Sequence, residues 1–379
     1  MVFPLFNKSK NLPILLFKIL KSIIMKSCLT RLALIGLLFA VSCTKKDVVP
    51  EAPITYNNAF ILSLESDKTA LTFLDENQIA TPNVTVSENA ESTSFSNYNN
   101  QLYIVSQNGP SYISKVNLET LSVEESITSS NVSSPSYLQM YSNTDGLVIN
   151  TSGSGRSRNY NLCHVNTTTG IGDAISEVSN EILFNNAALI VDAENVLIAD
   201  GKELVVMNMT TKEFTSVITF DDSISGLLKD KNETIWVAKE KRATAATFTK
   251  LNADYSINET VTVTDDVINL YTNSILTMNS ESVNAFWSES ASGKIYTFNT
   301  ETKVIEEFAA PINDGIAFNT VVKQHPNTKQ VYVIGLKDFI DPDNSGLVIY
   351  NADKTVAKTV DNVGASPIDI YFSAKEFEI

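Results

Sequence analysis

The sequence predicts an all-β fold: a seven-bladed β-propeller closed by its C-terminal strand. Three observations carry that expectation. A short apolar strand recurs seven times between residues 57 and 372. An Asn or Asp ends the strand that follows each copy, about every 46 residues, and a period of that size with several strands per unit marks a propeller blade. A lone strand, Pro367-Ile368-Asp369-Ile370-Tyr371-Phe372, remains after the seventh copy, while the first copy lacks an innermost strand for it to replace.

Residues 1–43 read as a signal region, with Met25 as an alternative start. Lys26 and Arg31 make a basic beginning, and Leu32 to Val41 form an apolar core of the length a signal peptide needs. That core is too short to favour a membrane-spanning helix. It ends in Ala40-Val41-Ser42-Cys43, which resembles a bacterial lipobox, so Cys43 is the expected lipidation site. Residues 44–56 form a tether that opens with Thr44-Lys45-Lys46-Asp47 and contains two prolines. A charged stretch just after the lipidated cysteine is similar to the surface-export signals of Bacteroidetes lipoproteins. The expected location is therefore the outer membrane, lipid-anchored and facing outward, with the lipid as the sole membrane attachment.

The propeller is expected over residues 57–372, with 373–379 as a tail. The recurring strands are Ala59-Phe60-Ile61-Leu62, Leu102-Tyr103-Ile104-Val105, Leu147-Val148-Ile149, Val196-Leu197-Ile198, Ile235-Trp236-Val237, Ala285-Phe286-Trp287 and Val331-Tyr332-Val333-Ile334. Short continuous apolar runs suit strands buried on both faces. A second strand then ends at Asp75, Asn117, Asn166, Asn208, Asn252, Asn299 or Asn351. Such a side chain opens a tight turn by bonding the backbone two residues on. The strand leaving the turn, as in Ser122 to Ile127 or Lys303 to Phe308, alternates polar and apolar, as the half-wet outer strand of a blade should. A β-sandwich array would need domains of roughly 100 residues, twice this period.

Composition narrows the function classes. The net charge is −15, yet residues 1–43 hold six basic side chains and no acidic one, so the body is more acidic still. Such a surface repels nucleic acid and anionic membranes. Of the three cysteines, Cys28 and Cys43 fall in the leader, and Cys163 is expected as a small buried hydrophobe. The two histidines, His164 and His325, sit in no catalytic or metal-binding pattern, and no phosphate loop is present. No cofactor is expected. Asp341-Pro342-Asp343-Asn344-Ser345-Gly346 copies half of a calcium loop, but position twelve is Ala352 rather than Glu. It reads as a polar loop.

In a propeller the loops after each recurring apolar strand gather on one face, around the central funnel. Here they carry Gln107, Arg156, Arg158, Lys239, Arg242, Lys337 and Asp338, with Trp236 and Trp287 near the ends of two feeding strands. An aromatic and basic rim would suit a polar, partly anionic ligand. These nine residues are the candidate ligand-binding set.

The last copy, from Gln330-Val331-Tyr332-Val333-Ile334-Gly335-Leu336-Lys337-Asp338-Phe339-Ile340-Asp341-Pro342 to Asn351-Ala352-Asp353-Lys354, resembles the final blade of YncE-like propellers in Bacteroidetes surface lipoproteins. The ending Val363-Gly364-Ala365-Ser366-Pro367 is similar to that family's end. Gly335-Leu336 departs from its usual small polar pair. The resemblance implies a seven-bladed ring and, from its BtuG-like members, non-enzymatic capture of a ligand beside a TonB-dependent transporter. The expected ligand is a corrinoid, a glycan or a protein. The alternatives are a propeller-type enzyme, such as a lactonase or lyase, and a structural or adhesive surface protein.

Overall fold

The computed structural model describes residues 58–373, except 65–67, 89–91, 100, 108–110, 130–131, 153–158, 179–188, 193, 240–244, 263–275 and 290–291. The lipobox, Cys43 and the tether lie outside the described residues.

Blade 1 takes β1 (Asn58–Leu64), β2 (Lys68–Leu74) and β3 (Ala80–Glu88). Blade 2 is β4 (Ser92–Tyr98), β5 (Gln101–Ser106), β6 (Ser111–Asn117) and β7 (Ser122–Thr128). Blade 3 is β8 (Pro135–Met140), β9 (Asp145–Ser152), β10 (Asn159–Asn166) and β11 (Gly170–Val178). Blade 4 is β12 (Leu189–Asp192), β13 (Asn195–Asp200), β14 (Glu203–Asn208) and β15 (Phe214–Thr219). Blade 5 is β16 (Ile224–Lys229), β17 (Ile235–Lys239), β18 (Thr247–Leu251) and β19 (Ile257–Thr262). Blade 6 is β20 (Leu276–Met278), β21 (Asn284–Ser288), β22 (Ile295–Asn299) and β23 (Ile305–Ala309). Blade 7 is β24 (Phe318–Gln324), β25 (Val331–Leu336), β26 (Ser345–Tyr350) and β27 (Val356–Asp361).

The final strand, β28 (Pro367–Ser373), returns to blade 1 and pairs antiparallel with β1, from Asn58↔Ser373 to Ser63↔Pro367. The order β28-β1-β2-β3 makes blade 1 four-stranded like the other six. The closing role expected of the last strand is what the topology shows. Every sheet is an antiparallel meander, and in blades 2 to 7 the innermost strand comes first in the chain.

The core lies between blades rather than within them. Each of the seven apolar clusters joins two neighbouring blades, and together they go round the ring. The recurring apolar strands explain this. On β1, Phe60 and Leu62 face the blade 2 side, while Ala59 and Ile61 face the blade 7 side. On β5, Leu102 and Ile104 meet blade 1, and Tyr103 and Val105 meet blade 3. Successive side chains point to opposite faces of a strand. A strand between two packed faces therefore needs an unbroken apolar run, and each large side chain so buried contributes about 1.5–3 kcal/mol. The outer strands β19 and β27 alternate half-buried and exposed residues, as a wet outer edge requires. Cys163 is fully buried in the cluster shared by blades 2 and 3.

The Asn/Asp turns follow the third strand of each blade. Asn117 Oδ1 accepts from the Glu119 and Thr120 amides, and Asn166, Asn208 and Asn299 repeat the arrangement. Asp75 accepts from Asn77 and Ile79. Asn252 and Asn351 instead donate through Nδ2 to Ser256 and Thr355. All seven turns enter their outer strand through a left-handed residue: Gln78, Leu121, Gly170, Lys212, Tyr255, Lys303 and Lys354. Only one of these is glycine, the residue for which that conformation costs least.

Candidate ligand-binding face

An up-and-down blade sends its connections alternately to the two faces of the ring. First-to-second and third-to-fourth strand connections share one face, here called the turn face. Second-to-third connections and the links between blades share the other, the loop face. The turn face is laced from blade to blade. Asn99 Nδ2 donates to Asn143 Oδ1 at 2.8 Å, the Lys231 amide to the Ser282 carbonyl at 2.9 Å, and Lys358 Nζ to the Asn77 carbonyl at 2.6 Å. The loop face carries the long connections. Among the described residues the longest are 310–317, which leads into blade 7, and 337–344, between β25 and β26.

The candidate set is only partly brought together. Arg156, Arg158 and Arg242 lie outside the described residues. Gln107 follows β5 on the loop face and is half-buried. Lys239 ends β17 with its Nζ 4.6 Å from the centre of the Phe220 ring. Burial holds this ammonium below the ordinary lysine range, against the opposing pull of Asp222 and Asp221. Lys337 pairs with Asp361, and Asp338 turns its carboxylate onto its own loop.

Trp236 and Trp287, expected at the ligand rim, are core residues. Both are 0% exposed and belong to the cluster between blades 5 and 6. Trp236 Nε1 donates to Asp230 Oδ2 at 2.9 Å, and Lys303 Nζ sits 4.1 Å above its ring. Trp287 packs 5.5 Å from Phe248 and 5.8 Å from Tyr296. The physical reason is strand position. Trp236 is the second residue of β17, at its turn-face end, and both indoles point between blades. A wholly buried indole touches no ligand.

Three exposed side chains that sequence reasoning left out of the set stand on the loop face of blade 7. Phe318 is 44% exposed, Phe339 74% and Ile340 94%, and the two phenylalanine rings lie 5.6 Å apart. The available signal was an apolar pair, Phe339-Ile340, in a loop of Asp, Pro and Asn, where a merely solvated loop has no use for one.

At the axis, the innermost strands are joined by hydroxyls. Ser94 Oγ donates to the Ser136 carbonyl, Thr277 Oγ1 to that of Val322, and Thr320 Oγ1 to that of Pro367. Asp369 Oδ1 meets Lys323 Nζ at 2.5 Å. Among the described residues no group of three His, Cys, Asp or Glu side chains converges to hold a metal ion. The half calcium loop spends its oxygens internally: Asp341 Oδ1 accepts from the Asp343 amide, and Ser345 Oγ from the Val363 amide. A cleft of about 210 Å³ opens on the turn face at the junction of blades 7 and 1, lined in part by Asp75, Glu76, Gln78, His325 and Tyr332.

These features define a seven-bladed propeller with one laced face and one face of longer loops. The chain belongs to the family of the domain of unknown function DUF5074, which matches residues 60–377. No curated protein matches the sequence. Among solved structures it is similar to a quinonprotein alcohol dehydrogenase-like protein from Bacteroides thetaiotaomicron, with 15% identity, a TM-score of 0.61, and coverage of 85% of this chain and 79% of that one. It is also similar to the periplasmic gluconolactonase of Pseudomonas aeruginosa, with 10% identity, a TM-score of 0.61, and 84% and 99% coverage. A candidate 6-phosphogluconolactonase from Bacteroides uniformis shares 12% identity at a TM-score of 0.59, with 84% and 100% coverage. At these identities the likeness is one of fold.

Proposed function

We propose that this propeller is a binding protein displayed on a bacterial surface by a lipid on Cys43, capturing a ligand on its loop face without chemistry. The observation that carries this reading is the inequality of the two faces. One carries short, cross-linked turns. The other holds the long connections and the exposed aromatic and aliphatic side chains of blade 7, and exposed apolar groups of this kind mark interaction sites. The leader and the likeness of the last blade to YncE-like surface lipoproteins support a corrinoid, glycan or protein as ligand, with a TonB-dependent transporter as neighbour.

Calorimetry of the full chain with cyanocobalamin tests the corrinoid option, and absence of heat at high micromolar concentration removes it. Fractionation of cells carrying Cys43→Ser tests the anchor, because the variant should leave the membrane. The second reading is lactone hydrolysis, favoured by the fold shared with the gluconolactonases. Turnover of glucono-δ-lactone above the uncatalysed rate would replace the binding reading with it.

A further inference from the structure

Ten large hydrophobic side chains are exposed among the described residues, and four of them stand on the loop face of blade 7 or on the link leading into it: Ile312, Phe318, Phe339 and Ile340. Others, such as Val217, Ile257 and Val356, stand singly on outer strands. Single exposed hydrophobics are ordinary, whereas a clustered group is not. Ile312 lies on the link just before Phe318, and Ile316 of the same link packs close to Gly335 and Gly346.

The loop that raises Phe339 and Ile340 is held in shape. Asp338 Oδ1 accepts from the Ile340 amide at 2.9 Å and the Asp341 amide at 2.8 Å, and Asn344 Nδ2 donates to Asp338 Oδ2 at 2.8 Å. The Lys337 amide donates to the Asn344 carbonyl, and the Ser366 amide ties Pro342 to the end of the next link. An apolar tip fixed before binding loses little entropy when it docks.

The surroundings of this tip are acidic. Asp338, Asp341 and Asp343 flank it, and among the described residues none has a lysine, arginine or histidine partner. The one lysine of the loop, Lys337, is engaged by Asp361. Carboxylates around an apolar tip select cations and repel anionic lipid headgroups.

We infer that Phe339 and Ile340, with Phe318 beside them, form a docking knob for a protein segment whose apolar side chains are flanked by lysine or arginine. The inference rests on the loop face being the working face, and it names the partner chemistry there.

Two matched amphipathic peptides test it by fluorescence anisotropy against the full chain: one of leucine and lysine, one of leucine and glutamate. The lysine peptide should bind and the glutamate peptide should not. Phe339→Ser with Ile340→Ser, and separately Asp341→Lys with Asp343→Lys, should each weaken binding by about tenfold or more, with melting unchanged because these side chains are exposed. Equal binding of both peptides, or binding indifferent to either pair of substitutions, overturns the inference. So does binding to phosphatidylcholine vesicles that depends on Ile340, or a dimer in sedimentation that Ile340→Ser abolishes. Loss of the knob with cyanocobalamin binding intact would leave the broader capture reading standing.

Discussion

Lys323 Nζ and Asp369 Oδ1 lie 2.5 Å apart across the joint where the last strand completes the first blade. Lys323 belongs to the inner strand of blade 7 and Asp369 to β28, and Lys323 also donates to the Ile370 carbonyl at 2.7 Å. Both side chains are largely buried, at 24% and 14% exposure. Removing one partner leaves a charge in a poorly solvated place. Asp369→Ala should lower unfolding stability by about 1–3 kcal/mol, the range for a hydrogen bond to a charged group. Urea denaturation checks the value. The double variant Lys323→Met with Asp369→Ala should recover part of the loss, and strict additivity would mean the pair does not couple.

Gly335 is expected to tolerate no side chain. A Cβ there would stand 2.1 Å from the Phe318 carbonyl oxygen and 2.7 Å from the Asn319 Cα, both backbone atoms of the adjoining inner strand. Gly335→Ala should cost about 2–3 kcal/mol, toward the upper end for overpacking. Gly170→Ala is the comparison. Its φ is +95°, but the nearest atom to the new methyl is 3.7 Å away, so only backbone strain of about 1–2 kcal/mol is expected. Thermal melts should rank the two in that order.

Trp236 makes a stability prediction in place of a binding one. Trp236→Phe keeps a ring in the core but leaves Asp230 Oδ2 without the indole donor. The same Asp230 holds its turn by accepting from the Asn232 and Thr234 amides. The substitution should cost about 1–3 kcal/mol in denaturant titration. Ligand binding at the loop face should be unaffected, and a binding defect without a stability defect would contradict the buried position.

Asp338 links the blade 7 knob to pH. The Asp341 amide, then the Asn344 side chain and the Ile340 amide, hold its carboxyl below the usual carboxylate range. The ordinary value is about 3.9. A lowered native pKa gives a contribution fully present above that value and lost as pH falls through the lower native one. The amide resonances of Ile340 and Asp341 should therefore stay fixed from neutral pH to about 4 and move below it. Asp338→Asn should shift them at neutral pH.

The ring was legible in the sequence because its periodic demands fall on residue type. A strand buried on both faces must be apolar throughout, as at Phe60 to Leu62, and a tight turn rewards Asn, as at Asn117. Even the closure could be read, from one strand too few at the start and one too many at the end. The site was less legible because burial and rim exposure look alike for a tryptophan at a strand end. On a strand packed between two blades a side chain of either register is buried, so only the distance from the strand end separates a core tryptophan from one at the rim. Phe339 and Ile340 were visible as letters, yet only the fold shows them standing exposed on the loop face.

The pairing of β1 with β28 also fixes a sequence in time. Of the twenty-eight strands among the described residues, β1 is made first and β28 last. Until the last strand arrives, the edge of β1 that carries Phe60, Ile61 and Leu62 has no partner on its inner side. A chain leaving the ribosome therefore has no finished ring until β28 is made. The circle shuts only with β28, so a product truncated before that strand would be an open spiral with a sticky edge rather than a slightly smaller propeller.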